Sequence, residues 1–129
     1  MSQPHALLID DNPKNLSVLA KLLSMEGVRY TQVQKSREVA GLLGQLDPVD
    51  LVFLDLEMPD VNGYQILQQL KANPRFQAVP VIAYTVHVSE ITVTQELGFD
   101  GFIAKPLDAD RFPAQLQRIL SGQPVWEPV

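Results

Sequence analysis

At four points along the chain, side chains able to do chemistry follow a short apolar run at once or after one intervening residue. Asp10-Asp11 follows Ala6-Leu7-Leu8-Ile9, Asp55 follows Leu51-Val52-Phe53-Leu54, Thr85 follows the run from Val79 through Ala83, and Lys105-Pro106 follows Gly101 to Ile103. Three carboxylates gathered into one crevice repel one another by about 4 kcal/mol per close pair, taking about 4 Å and an effective dielectric of about 20. Something cationic has to offset that. An oxygen-only donor set with no His or Cys in it selects a hard ion, and a few carboxylates plus water suit octahedral Mg²⁺ better than a many-liganded Ca²⁺ cage. Lys105 adds a fixed positive charge. A carboxylate beside Mg²⁺, an ammonium and a hydroxyl is equipped to receive a phosphoryl group, a transfer catalysed by positioning and by neutralising three equatorial oxygens. On this reading Asp55 is the nucleophile and acceptor.

Bringing those residues together requires a particular architecture. The apolar runs at 6–9, 51–54 and 79–83 are short and continuous, as in parallel strands buried on both faces. Weaker strands are expected from Arg29 to Val33 and from Gly101 to Ile103. Between them apolar residues recur at helical spacing: Leu16, Leu19, Ala20 and Leu23; Val39, Leu42, Leu43 and Leu46; Gly63, Ile66, Leu67 and Leu70; and, last, Phe112, Leu116, Ile119 and Leu120. Strand–helix alternation with short connections implies an α/β fold, a parallel sheet covered by helices on both faces. Asn12-Pro13 marks a helix start, Gly27 its stop, Ser36 a cap for the second helix and Asp47-Pro48 its end. In such a sheet the ligand site lies beyond the carboxyl ends of the strands, where all the residues above fall.

Asp10-Asp11, Asp55, Thr85 and Lys105-Pro106, with Met58-Pro59-Asp60-Val61-Asn62-Gly63 between them, resemble the motif set of the two-component response-regulator receiver domain over roughly residues 5 to 121. The resemblance implies a doubly wound five-stranded sheet of flavodoxin-like order 2-1-3-4-5, with a receiver domain over 1–121 and a C-terminal tail over 122–129. It implies that Asp55 takes phosphate from a phosphohistidine on a histidine kinase or histidine phosphotransfer protein. Asp10 or Asp11 together with Asp55 would hold Mg²⁺, and the Glu57 backbone carbonyl would complete the protein ligands. Thr85 and Lys105 would contact the phosphoryl oxygens, the bond before Pro106 would be cis, and Phe102 would be the aromatic whose rotamer responds to phosphorylation. Singly, each residue has a plainer reading: a polar helix entry for Asp10-Asp11, a strand-end turn former for Asp55, a core aromatic for Phe102. Their occurrence in register outweighs those readings.

Departures from the family pattern add further expectations. Val86 stands where a small residue is common, which narrows access to the acceptor. His87 lies two residues after Thr85 as Glu57 lies two after Asp55, so the pair is expected at the mouth of the site, restricting the water that hydrolyses the acyl phosphate. The stretch from Thr85 to Lys105 is shorter than is common and carries the β-branched Ile91-Thr92-Val93-Thr94, so the fourth helix is expected to be short or mobile. Val88, Ile91 and Val93 are expected to pack on the sheet rather than form an apolar patch. His5 is expected to be solvated, and Trp126 to fold back on the body.

Composition sets the outer bounds. The 129 residues, 14.4 kDa, leave room for one domain, and 46% hydrophobic residues suffice for a core. A net charge of −5 and a pI near 4.8 are the wrong sign for direct nucleic-acid binding. The absence of cysteine excludes disulfides, a thiolate zinc site and a cysteine nucleophile. No signal sequence and no apolar run of membrane-spanning length are present, so no membrane partner and a cytoplasmic location are expected. The expected activity is that of a signalling switch: intrinsic phosphotransfer and slow autodephosphorylation rather than metabolic catalysis, read out as altered contact with a downstream protein. Two alternatives are weaker. A phosphorylation-independent interaction module of the same fold would not need all five site residues, and a phosphoaspartyl hydrolase would carry its Asp-x-Asp pair after the first strand. No glycine-rich nucleotide motif occurs.

Overall fold

The computed structural model describes residues 3–56, 63–85, 91–105 and 107–127. The first apolar run becomes β1 (His5–Ile9), and the chain then enters α1 (Pro13–Met25) as the Asn12-Pro13 pair dictates. The Asn12 side chain accepts from the N–H groups of Lys14 and Asn15, at 2.9 and 3.4 Å, while Pro13 has no N–H left to satisfy. Leu16, Leu19, Ala20 and Leu23 form the buried stripe. Gly27 ends the helix at φ +73°, which lets the Val28 N–H return to the Leu23 carbonyl.

The remaining elements are β2 (Arg29–Val33), a 3-10 turn (Ser36–Glu38) running into α2 (Val39–Leu42), β3 (Leu51–Asp55), α3 (Gly63–Ala72), β4 (Val81–Thr85), α4 (Ile91–Leu97), β5 (Gly101–Ala104), α5 (Phe112–Leu120) and β6 (Val125–Glu127). All six strands are parallel, in the order β2-β1-β3-β4-β5-β6. The flavodoxin-like order is therefore as expected, but a sixth strand extends the five-stranded sheet.

That strand was hidden by its flanks. Residues 122–129 read as a proline-rich tail, yet Val125 pairs with Gly101 and Trp126 with Phe102 on the open side of β5. The Arg118 guanidinium donates to the Pro124 carbonyl at 2.8 Å, and Val125 is fully buried. Gly101 makes the approach possible. A Cβ there would stand 2.8 Å from the Val125 carbonyl oxygen and 2.8 Å from Ile82 Cδ1.

Two layers of core flank the sheet, and residues alternate between them along each strand. One face carries Ala6, Leu8, Phe53, Ile82, Tyr84 and Ile103 against α1 and α5; the other carries Leu7, Ile9, Val52, Leu54, Ala83 and Phe102 against α2 and α3. Trp126 is half-buried against the second layer, as its expected fold-back requires.

Several local expectations need correcting. The helical pattern from Val39 to Leu46 yields only a four-residue α2, because Gly41 and Gly44 are poor helix formers and the Arg75 guanidinium binds the Leu43 and Leu46 carbonyls beyond it. Ser36 is buried inside the 3-10 turn, and Lys35 holds the cap position without a side-chain bond. β4 starts two residues later than the apolar run suggests, so Thr85 is its last residue rather than the first beyond it. His5 is buried, not solvated: its Nδ1 faces the Pro48 carbonyl at 3.1 Å and its Nε2 the Thr31 hydroxyl at 2.8 Å, tying β1 to β2 and to the approach to β3. α4 is short, at seven residues. Ile91 packs on the sheet layer, whereas Val93 and Leu97 are exposed. Val88 lies outside the described residues. Among the described residues no helix is long and apolar enough to cross a membrane.

Candidate functional site

Parallel strands end at one rim, and the polar residues there come from β1, β3, β4 and β5. Asp10 continues β1, its N–H bonded to the Val33 carbonyl of β2 at 3.1 Å. Asp55 is the last residue of β3 and faces Tyr84 of β4 in register. Lys105 continues β5, its N–H bonded to the Thr85 carbonyl at 3.0 Å. Gly63, the first residue of α3, lets that helix start close behind Asp55: a Cβ on it would meet the Asp55 carbonyl oxygen at 3.1 Å.

The side chains converge. One carboxylate oxygen from each of Asp10, Asp11 and Asp55 lies within 4.8 Å of the others. Lys105 Nζ stands 3.2 Å from Asp10 Oδ2 and 3.3 Å from Asp55 Oδ1. Asp10, Asp55 and Thr85 are buried, whereas Asp11 is exposed at the mouth. Asp10 is held through both of its oxygens. Its Oδ1 accepts the Asn12 N–H at 2.9 Å, and its Oδ2 accepts both the Tyr84 hydroxyl at 2.7 Å and the Lys105 ammonium.

Burial and charge split the two inner acids. Burial and the neighbouring Asp10 charge push the Asp55 carboxyl up to about 7, against the opposing pull of Lys105. Burial also raises Asp10, but the hydrogen bonds from Tyr84 and Asn12 and the Lys105 charge outweigh it and hold Asp10 below the usual carboxylate range. In the absence of a cation, then, Asp10 carries the charge and Asp55 takes up the proton first. The Tyr84 hydroxyl, buried and facing Asp10, is pushed far above its ordinary value and stays a donor.

Of the residues singled out from sequence, Asp10, Asp11, Asp55 and Lys105 meet in one cluster, with Thr85 at the same rim. Phe102 is fully buried in the second core layer, between Ala83 and Trp126 in register, and so belongs to the body of the sheet beneath the rim. Glu57, Val86, His87 and Pro106 lie outside the described residues, and with them the Glu57 carbonyl, the access position, the Glu57–His87 pair and the cis bond.

Tyr84 went unnoticed in the sequence. Besides its bond to Asp10, its ring lies beneath Lys105 Nζ, 4.4 Å from ammonium to ring centroid, and packs edge-on against Phe53 at 6.2 Å. The signal was available: a tyrosine inside a fully apolar strand must find a partner for its hydroxyl, and one placed at the strand's end finds it at the rim.

With this geometry in view, the chain's relatives are informative. The model of the response regulator receiver domain matches residues 6–117, and the chain belongs to that family. It is a receiver domain of two-component phosphorelay. It is 36% identical over 112 residues to stress response regulator protein 1 of Meyerozyma guilliermondii, covering 84% of this chain but only about half, 51%, of that protein's length. Among solved structures, the signal receiver domain of a histidine kinase from Syntrophus aciditrophicus is 29% identical with a TM-score of 0.79, over 92% of this chain and 91% of that one. The receiver domain of a sensor histidine kinase from Pseudomonas aeruginosa PAO1 superposes with a TM-score of 0.82 at 24% identity, over 93% and 99% of the two chains. That structure holds a magnesium ion in its active-site cleft.

Proposed function

We propose that this chain accepts a phosphoryl group on Asp55 from a phosphohistidine of a histidine kinase or histidine phosphotransfer protein, and that the new charge alters its contact with a downstream protein. In the transfer an Asp55 carboxylate oxygen bonds to phosphorus as the phosphorus–nitrogen bond to the imidazole breaks, leaving an acyl phosphate. The observation that carries the reading is the position of Lys105 Nζ, within 3.3 Å of Asp55 and 3.2 Å of Asp10, opposite a cluster of three acids.

The donor set fits Mg²⁺. It consists of carboxylate oxygens only, and the exposed Asp11 leaves one side open to solvent ligands. Asp55 together with Asp10 or Asp11, and the Glu57 carbonyl as the resemblance implies, would hold the ion, which when bound neutralises charge on phosphoryl oxygens. The chain's own part is positional. Asp10 holds the Lys105 ammonium where it meets the incoming oxygens, Thr85 offers a hydroxyl at the neighbouring strand end, and the buried rim excludes bulk water. Glu57 and His87 set the lifetime of the acyl phosphate, Val86 narrows access to it, and Phe102, on the strand that Lys105 continues, carries the change into the sheet.

The test is labelling by acetyl phosphate or phosphoramidate. Label should require Mg²⁺ and vanish in Asp55→Asn; label that persists in that variant refutes the assignment. A phosphorylation-independent module would show no label in either.

A further inference from the structure

We infer that Tyr84 is a positioning residue for phosphoryl transfer: the face of its ring is the platform that holds the Lys105 ammonium over the end of β4, within reach of Asp55. The inference rests on the acceptor reading above.

Lys105 has to reach across a strand. It continues β5, whereas Asp55 ends β3, so two strand spacings, about 9–10 Å, separate their backbones. A flexible lysine stem spans that distance, but nothing in the stem itself fixes where the ammonium comes to rest. Tyr84 stands in register between the two strands, opposite Asp55 on one side and Ile103 on the other. The ammonium lies 4.4 Å from its ring centroid, over the electron-rich face. The ring is held in turn: it is buried, it packs edge-on against Phe53 at 6.2 Å, and its hydroxyl donates to Asp10 Oδ2 at 2.7 Å.

Ionic contacts alone would be an unsteady anchor. The ammonium's acidic partners, Asp10 at 3.2 Å and Asp55 at 3.3 Å, both belong to the cluster that a divalent cation would draw on. Asp55 also loses its carboxylate charge when it forms an acyl phosphate. The ring face behaves differently, because a hard cation seeks oxygen ligands and does not compete for it. It keeps the ammonium at the rim while the charges around it change.

The test compares Tyr84→Phe, which keeps the ring, with Tyr84→Leu, which keeps only apolar bulk. At saturating Mg²⁺ and phosphoramidate, the phenylalanine variant should label Asp55 about threefold or more faster than the leucine variant; equal rates overturn the inference. Tyr84→Met takes the place of the leucine variant if the latter does not fold. Because leucine also changes core packing, the substitution is repeated with Lys105→Met. A platform acts only through the ammonium, so Tyr84→Leu should slow labelling no further in that background. Losses that multiply in full assign the effect to packing and overturn the inference. A measurement without Mg²⁺ or donor follows the ammonium itself. Acetylation of Lys105 by limiting acetic anhydride, relative to the exposed Lys14, should rise about threefold or more in Tyr84→Leu and stay near the wild-type ratio in Tyr84→Phe; a ratio blind to the ring is a second refutation. Wild-type protein that takes no label would remove the acceptor reading, whereas label with no dependence on the ring would remove the inference alone.

Discussion

Lys105 Nζ lies 3.3 Å from Asp55 Oδ1, although fifty positions of sequence separate the two residues and they sit at the ends of strands that are not neighbours. β4 stands between β3 and β5, so the ammonium crosses the end of β4, passing over the Tyr84 ring, to reach the acid. Both partners are almost fully buried, so neither is replaced readily by water.

Lys105→Met is therefore expected to slow labelling of Asp55 by small donors at least about tenfold, since the charge that meets the phosphoryl oxygens is gone. It also leaves two buried acids facing each other, and urea unfolding at pH 8 without Mg²⁺ should show a loss on the order of 3 kcal/mol. Unchanged labelling at saturating Mg²⁺ would contradict the role given to the ammonium.

Asp55 gives the metal-free protein a pH dependence of defined sign. Its carboxyl is raised from 3.8 to about 7 by burial first and the Asp10 charge second, so the folded state holds this proton more tightly than the unfolded chain does. The associated stability is fully present below about pH 4 and is lost as pH rises through 7. In EDTA, Asp55→Asn should be more stable than the wild type at pH 8, on the order of 2–4 kcal/mol, with the advantage shrinking toward pH 5. Thermal melts at the two pH values decide it. Saturating Mg²⁺ at pH 8 should raise the wild-type melting temperature and leave that of the variant nearly unchanged.

Gly101→Ala tests the packing of β6. The added methyl meets the Val125 carbonyl and Ile82 at 2.8 Å, so the strand must lift from β5 or the core must shift, costing about 1–3 kcal/mol. Trp126 is the only tryptophan in the chain, and its emission should move to longer wavelength as it leaves the second core layer. An unshifted spectrum with unchanged stability would show that β6 tolerates the methyl.

Asn12→Ala should cost about 1 kcal/mol through loss of the α1 cap, read as a lower urea midpoint. Its backbone N–H to Asp10 survives the substitution, so Mg²⁺ affinity should change far less than in Asp55→Asn.

How much of this was legible beforehand follows from what each element owes to its own residues. β1, β3 and β4 are runs of apolar residues that have no exposed face to alternate against, and α1 announces itself through Asn12, Pro13 and Gly27; such signals are local and survive folding. α2 was overestimated because its leucines do pack on the sheet, though from an irregular backbone that Arg75, thirty residues away, holds by its carbonyls. β6 was missed because three residues between prolines carry little pattern, and their strand character comes from the edge of β5. At the site, the acids and the lysine were visible as types at strand ends. The tyrosine beside them lay just beyond the apolar run that ended at Ala83 and drew no notice, since its hydroxyl gains meaning only once β1 and β4 are brought to a common rim.

Because β6 runs parallel to β5, the backbone doubles back after α5 and leaves Glu127 at the end of the sheet where the acids gather, whereas a chain departing directly from α5 would exit at the far end. Any polypeptide joined beyond that point would start at the same rim as Asp55, and short linkers give millimolar local concentrations. A module fused there would need no long spacer to reach that rim.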